Sequence, residues 1–302
     1  MYASGNTNYC TVNASTGVVT AVAVTTTMTQ CTITATRAAD SNFNVSSTSA
    51  SVAISVTKLT QATFTASSTV TTTTYGAGTF TVSSTGGSGT GATTYTSGNT
   101  AVCTVVASTG VASIVAPGSC VITATKASDT NYAAATSSVT ITINKATQAT
   151  FTANASPSST TFGGGTVTVT GSGGTGGGSL SWSSADTSVC TVGITGQVNV
   201  VSAGSCVITV TRAGGTNYND ISASVTITIN KATQATFNAT ASATTGTYLD
   251  GVSYSVSSSG GTGAGAVSYA SNSASVCSVD SATGAVTILT AGTCSITATK
   301  SG

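Results

Sequence analysis

The sequence predicts an all-β chain: a tandem array of antiparallel β-sandwiches, about seven strands each, with one disulfide per sandwich. Three observations predict it. A cysteine pair recurs four times, as Cys10/Cys31, Cys103/Cys120, Cys190/Cys206 and Cys277/Cys294. Its period is about 87 residues, the mark of a tandemly repeated small unit. β-Branched residues abound and alternate with polar ones, which suits pleated strands. Only 2 prolines stand among 302 residues, so the strands run unbroken, and no segment of helical period competes.

Residues 58–144 show the unit in full. KLTQATFTA reads as a first strand with Phe64 inward, and TFTVSS as a second. GGSGTGA is a glycine loop, expected to be a flexible hairpin connection. ATTYT, AVCTVVA, VASIV and SCVITATK follow as strands, with turns at STG (108–110) and APG (116–118). ASDTNY is a loop with Asp and Asn turn chemistry, and TSSVTITI closes the unit. The glycine loops lack the following helix that a phosphate cradle needs.

The expected domains are a partial repeat at 1–57 without its first strands, full repeats at 58–144 and 145–230, and a repeat at 231–302 without its last strand. NKATQATF at 144–151 and 230–237, with TKLTQATF at 57–64, joins them with almost no linker. Such joints predict a semi-rigid rod. Residues 2–10 align with 95–103, and 292–300 with 118–126. The expectation is a window of a longer array; the rival is a subunit completed by neighbours through strand addition.

Charge excludes several function classes. Seven cations face six aspartates, with no His and no Glu, for a net charge of +1. That offers no electrostatic handle on nucleic acid or acidic membranes, whereas a near-neutral surface promotes self-association. No apolar run approaches the ~18 residues of a membrane helix. Without His or Glu, Ser-His-Asp, Cys-His and paired-glutamate mechanisms are closed off, so no catalytic residue and no cofactor is expected. Asp40, Asp129, Asp186, Asp220, Asp250 and Asp280 are scattered over the repeats. Asp40 and Asp129 begin D-x-N-[FY] loops, where Asx turns explain them and calcium at a junction is the alternative. The cysteines lack the close spacing of zinc ligands, and no metal is expected.

The cations take two repeat positions. Arg37, Lys126, Arg212 and Lys300 end the second-cysteine strand, and Lys58, Lys145 and Lys231 stand at the joints. Solubility and edge protection account for both sets; a Lys–Asn crosslink lacks the acid it normally needs. Asn13, Asn44, Asn154 and Asn238 begin N-x-S/T sequons, as chance favours in so Ser/Thr-rich a chain. Pairing within each repeat is the expected use of the cysteines, with buried thiols and bonds between chains as alternatives. Disulfides in turn argue for an extracellular or cell-surface location.

Aromatic spacing sharpens the fold. Tyr2, Tyr95, Trp182 and Tyr269 each precede the first cysteine by eight residues, and Phe43, Tyr132 and Tyr218 follow the second by twelve. In immunoglobulin-type sandwiches a large aromatic packs on the inter-sheet disulfide. The four Tyr/Trp rings are expected to do so here; the alternative is that they fill core elsewhere. No Tyr sits two residues before the second cysteine, so the tyrosine corner of antibody domains is absent.

WSSADTSVCTVGITGQVNVVSAGSCVITVTRAGGTNY, Trp182 to Tyr218, resembles the bacterial immunoglobulin-like group 2 domain. That family reads W-S-S-x-x-x-x-V-A-T-V, then G-x-V-x-A, then G-x-A-x-I-T-A-T. Cys190 and Cys206 stand where it commonly has Ala. The resemblance covers roughly the second half of each repeat and recurs four times. It implies an Ig-like fold and stalk or tip domains of bacterial surface proteins, intimin- and invasin-like adhesins and phage structural proteins. The resulting expectation is a structural section of a bacterial fibre, filament or stalk whose partners are neighbouring repeats or chains. The alternatives are a binding module for a host or surface glycan or receptor, and a spacer for an enzyme.

Overall fold

A computed structural model describes residues 1–45 and 50–302; Ser46, the third residue of the Asn44 sequon, lies outside them. The described residues form strands, turns and loops, with no helix among them. The chain divides into two units. One comprises Met1–Ala153, Gly171–Ser181 and Val210–Ala223, and the other Asn154–Thr170, Trp182–Thr209 and Ser224–Gly302.

In the first unit, β1 (Tyr2–Ser4), β4 (Thr32–Ala35) and β5 (Ala50–Ala53) form one antiparallel sheet in the order β1-β4-β5. β2 (Cys10–Val12) pairs with β3 (Val19–Ala21). Next come β6 (Phe64–Ser68), β7 (Thr72–Thr74), β8 (Thr79–Gly86), β9 (Thr93–Ser97), β10 (Cys103–Val105), β11 (Val111–Ile114), β12 (Gly118–Lys126) and β13 (Ala135–Asn144). They make two sheets of order β10-β11-β8-β6 and β7-β13-β12-β9. With β6 and β8–β13 lettered A to G, these are the D-E-B-A and G-F-C sheets of an immunoglobulin-type sandwich.

The strand missing from the sequence reading is β7. Its three threonines carry no alternation to read, yet it pairs in parallel with the end of β13, Thr72 opposite Thr142. It thereby moves the first strand's continuation from one sheet to the other.

Period-two patterning decides which residues make the core. In β12, Cys120, Ile122 and Ala124 point inward and are fully buried. In β13, Ile141 stands opposite Cys120, and Val139 opposite Ile122. Phe80 and Val82 of β8 and Ala112 of β11 supply the facing sheet. Outward threonines and serines pair across the strands instead, as in the 2.8 Å contact between the hydroxyls of Thr123 and Ser138.

The same order recurs in β14 (Phe151–Ser156), β15 (Ser159–Thr161), β16 (Val167–Gly173), β17 (Leu180–Ser184), β18 (Cys190–Val192), β19 (Gln197–Val200), β20 (Gly204–Arg212) and β21 (Ile221–Asn230). Their sheets run β14-β16-β19-β18 and β15-β21-β20-β17. In the second unit, β22 (Phe237–Ala241), β23 (Tyr254–Gly260), β26 (Ala285–Ile288) and β25 (Cys277–Val279) form one sheet in that order. β24 (Val267–Ser271) pairs with β27 (Ile296–Lys300) alone. The chain is thus a tandem β-sandwich array with one disulfide in each repeat.

Candidate functional site

The cysteines bond within their repeats: Cys10–Cys31, Cys103–Cys120, Cys190–Cys206 and Cys277–Cys294, with Cα–Cα distances of 5.6, 5.7, 5.8 and 5.7 Å. Cys103 lies on β10 and Cys120 on β12, so the bond ties one sheet to the other. The tie joins strands D and F, whereas antibody domains tie B to F. A serine six residues before the first cysteine recurs in all four repeats, in a [YW]-x-S pattern. Ser97 Oγ donates to the Cys103 carbonyl at 2.7 Å and lies 3.4 Å from its Sγ. Ser4, Ser184 and Ser271 also lie against the sulfur of their cysteine. Sequence reasoning passed over these serines, although the recurring pattern was there to find.

Cys294 differs from the other seven cysteines, which are fully buried; it is partly exposed. Thiol–disulfide exchange requires access to sulfur. Under mild reductant, Cys277–Cys294 is therefore expected to open first. Timed alkylation with peptide mass mapping reads the order, and simultaneous opening of all four bonds would contradict it.

The four aromatic residues take one position on strand C. Tyr95 OH lies 3.2 Å from Ser84 Oγ, and Tyr269 OH lies 3.1 Å from Ser258 Oγ, both serines being on strand B. Trp182 Nε1 donates to the Val169 carbonyl, also on strand B, at 3.0 Å. Each ring covers the glycine of the D–E turn. A Cβ on Gly110 (φ 72°) would lie 2.0 Å from the Val82 carbonyl oxygen and 3.3 Å from the Tyr95 ring. Tyr95 shares a buried cluster with Cys103 and Cys120. Tyr2 is 38% exposed.

The second aromatic set is not core. Phe43 is 75% exposed. Tyr132 and Tyr218 are half-buried and form parallel bridges to Leu59 and Ala146. They pin the F–G loop to the joint that begins their own repeat. The position is set by that backbone bridge, which cysteine spacing does not reveal.

Side chains hold two of the glycine loops, those around Gly89–Gly91 and Gly176–Gly178. Gln148, only 5% exposed, accepts from Gly176 N at 2.8 Å and donates to the carbonyls of Arg212 and Asn219 at 3.1 and 2.9 Å. Arg212 Nη1 donates to Gly178 O at 3.2 Å, and its guanidinium sits 5.8 Å from the Phe151 ring centroid. Gln61 and Lys126 repeat the arrangement more weakly, accepting from Gly89 N at 2.8 Å and donating to Gly91 O at 3.3 Å. A Cβ on Gly174 (φ 72°) would lie 2.7 Å from Arg212 Cδ and 2.8 Å from Gln148 Oε1. The glycines are there because side chains press on the backbone.

The aspartates hold turns. Asp40 Oδ1 accepts from the amides of Asn42 and Phe43, and Asp129 Oδ1 from those of Asn131 and Tyr132. Amide bonds from Tyr132 and Thr90 lower the Asp129 pKa. The Ser188 hydroxyl does so for Asp186, and the Thr283 amide for Asp280. Asp220 accepts from Gly214 N. The Tyr254 hydroxyl lowers the Asp250 pKa, and the same bond raises that of Tyr254. Among the described residues no group of three or more His, Cys, Asp or Glu is placed to hold a metal ion.

One junction is described wholly within the first unit. Tyr75 N donates to Asn144 O at 2.9 Å, which fixes the β7–β8 turn against the end of β13. Lys145 Nζ donates to Gly215 O at 2.7 Å. The Tyr75 and Tyr218 rings meet edge to face, 5.7 Å between centroids at 80°. This contact links residues 58–144 to residues 145–230.

No protein-family model matches the chain, and no curated protein sequence matches it. Among solved structures it is similar to Drosophila N-cadherin EC1-3, at 12% identity and a TM-score of 0.30, covering 76% of this chain and 89% of that one. It is also similar to surface layer protein SbsC domains 1–6, at 16% identity and 0.24, covering 99% and 47%. A third is BT4661, a SusE-like surface-located polysaccharide-binding protein from Bacteroides thetaiotaomicron, at 14% and 0.25, covering 76% and 43%. Likeness at this level carries no argument about function; the fold assignment stands on the strand order.

Proposed function

We propose that the chain is a structural, non-catalytic section of an extracellular bacterial fibre, filament or surface stalk. Its working units are repeats at 1–57, 58–144, 145–230 and 231–302. The observation that carries this reading is the recurrence of one stapled sandwich whose last strand runs straight into the next joint. The Cys103–Cys120 and Cys190–Cys206 staples cross the two sheets of their repeats, so sheet separation cannot proceed freely between strands D and F without breaking a covalent bond. The Trp182–Tyr218 resemblance to bacterial immunoglobulin-like group 2 domains supports the same reading. So do outward Thr/Ser ladders in place of charge, which leave the surface able to pack laterally. Tyr95, Trp182 and Tyr269 act as core aromatics that back the staple, while Tyr2 takes the same position in its repeat with 38% of its surface exposed.

The test is the state of the native material. Electron microscopy is expected to show filaments or projecting stalks, and nonreducing electrophoresis intact disulfides; compact monomers with free thiols would overturn the reading. The junction has its own test. Tyr75→Ala and Tyr218→Ala are expected to show a coupling of about 1 kcal/mol in a double-mutant cycle of thermal unfolding, the range for an edge-to-face pair. Strictly additive effects would remove the ring pair from the junction.

A further inference from the structure

A third aromatic position recurs with the repeats. Tyr75, Phe162 and Tyr248 stand 87 and 86 residues apart, each directly after a threonine. After the first two comes a glycine in the left-handed region, Gly76 at φ 82° and Gly163 at φ 72°, so the same kind of turn presents the ring. The same backbone bond holds it: Tyr75 N donates to Asn144 O and Phe162 N to Asn230 O, both at 2.9 Å. Asn144 and Asn230 end the last strands of their repeats. The F–G loop carries its own periodic ring, at Phe43, Tyr132 and Tyr218. One ring position therefore belongs to each side of a joint, and the Tyr75–Tyr218 pair shows the two in contact.

Both rings of that pair hang from neighbouring residues of the joint. Tyr75 is fixed to Asn144, and Thr74 stands opposite Asn144 in the β7–β13 ladder. The loop that carries Tyr218 is fixed to the next residues along. Lys145 Nζ holds Gly215 O. Ala146 bonds the loop on both sides of the ring: its N donates to Asn217 O and its O accepts from Asn219 N, each at 2.9 Å. The buried Gln148 adds the bond from Nε2 to Asn219 O, and Asp220 Oδ1 closes the loop by accepting from Gly214 N at 2.9 Å. Two sandwiches joined by one stretch of chain swing on the soft φ and ψ torsions of the joint, and relative motion is the default where the interface is small. A second contact removes that freedom only when the loop behind Tyr218 is itself stiff.

We propose that the F–G loop of residues 145–230 is a docking socket for the aromatic turn of the repeat before it, and that Lys145 and Gln148 are the positioning residues that set the angle between the two repeats. The partner this socket fits is a T-[YF]-G turn held against the end of a last strand. Lys145 and Gln148 act through the loop. They hold Gly215 and Asn219 on either side of Tyr218, so its ring meets Tyr75 in one orientation. The stiffness of the array is then seated in side chains of the joint motif NKATQATF, and not in the shortness of the linker alone. This role rests on the structural reading for its use, yet the two fail separately. A loose joint leaves the stapled array standing, and an absence of filaments leaves the joint geometry standing.

The test is the distribution of distances between two spin labels in the 302-residue protein. They are carried on non-canonical residues at Thr140 and Ser181, exposed strand positions of the two repeats. One narrow peak is expected. Tyr218→Ala, Lys145→Ala and Gln148→Ala are each expected to lose it to a broad distribution, and Lys145→Arg to keep it. Gln61→Ala, at the same motif position one repeat earlier, is expected to leave the peak narrow. Lys145 is exposed, so Lys145→Ala reports on the joint even if Gln148→Ala unfolds its repeat. A broad distribution in the wild-type protein, a narrow one in Lys145→Ala or in folded Gln148→Ala, or equal broadening by Gln61→Ala would each overturn the proposal.

Discussion

Replacing Cys103 and Cys120 together by alanine is expected to lower the stability of the 58–144 sandwich by about 3 kcal/mol. The bond closes a loop of 17 residues, and the loss of chain entropy in the unfolded state scales with the logarithm of that length. Sandwiches of this kind have little to spare. The buried side chains are mainly Val, Ile and Ala, with Phe80 and Tyr95 the large exceptions, and small side chains remove less apolar surface from water. Against a total of roughly 5–15 kcal/mol for an ordinary domain, 3 is a large share. Calorimetry is expected to show the transition of this repeat moving down by roughly 10–20 °C, with the transitions of the other repeats in place. Alanine is the replacement to use, because both sulfurs are fully buried and a serine hydroxyl there would need a partner. A shift of a degree or two would mean that the packed sheets, not the staple, hold the repeat.

The position of the staple also sets what it protects. Cys103 and Cys120 enclose β11 and the turns around it, and the bond spans both sheets. A protease that nicks the Ser108–Gly110 turn therefore leaves the two halves covalently joined. This is the property a surface-exposed structural protein would use, and it is a consequence of where in each repeat the two cysteines stand.

Much of this was legible in the sequence, for a physical reason. Strand alternation is local, so β8, β12 and β13 could be read from their own residues. The cysteine pairs could be read because their period exposes equivalent positions. β7 was not legible, since three consecutive threonines alternate nothing and its partner lies 70 residues away at Thr142–Asn144. The D–F attachment of the staple follows from strand order, which spacing alone does not specify.

The second large effect is expected at Gln148, a residue the joint motif disguises as a polar linker. Gln148→Ala is expected to cost roughly 3 kcal/mol, because it strips partners from Gly176 N and from the carbonyls of Arg212 and Asn219 at once. Those partners lie 28, 64 and 71 residues from Gln148, so no local pattern announces them. Gln61→Ala supplies the control. It has the same place in the motif, but only its Oε1 is used, by Gly89 N, while its Nε2 has no partner. Its loss is expected to cost about 1 kcal/mol. Gly174→Ala should be costly too, since a Cβ there meets Arg212 and Gln148 while φ stays at 72°. The two changes act on one contact, so removing the glutamine relieves part of the alanine clash, and the double variant is expected to fall short of the sum. Denaturant unfolding of the wild-type protein and the four variants measures this. Equal costs at Gln148 and Gln61, or full additivity with Gly174, would mean that the glutamine merely occupies the loop and does not clamp it.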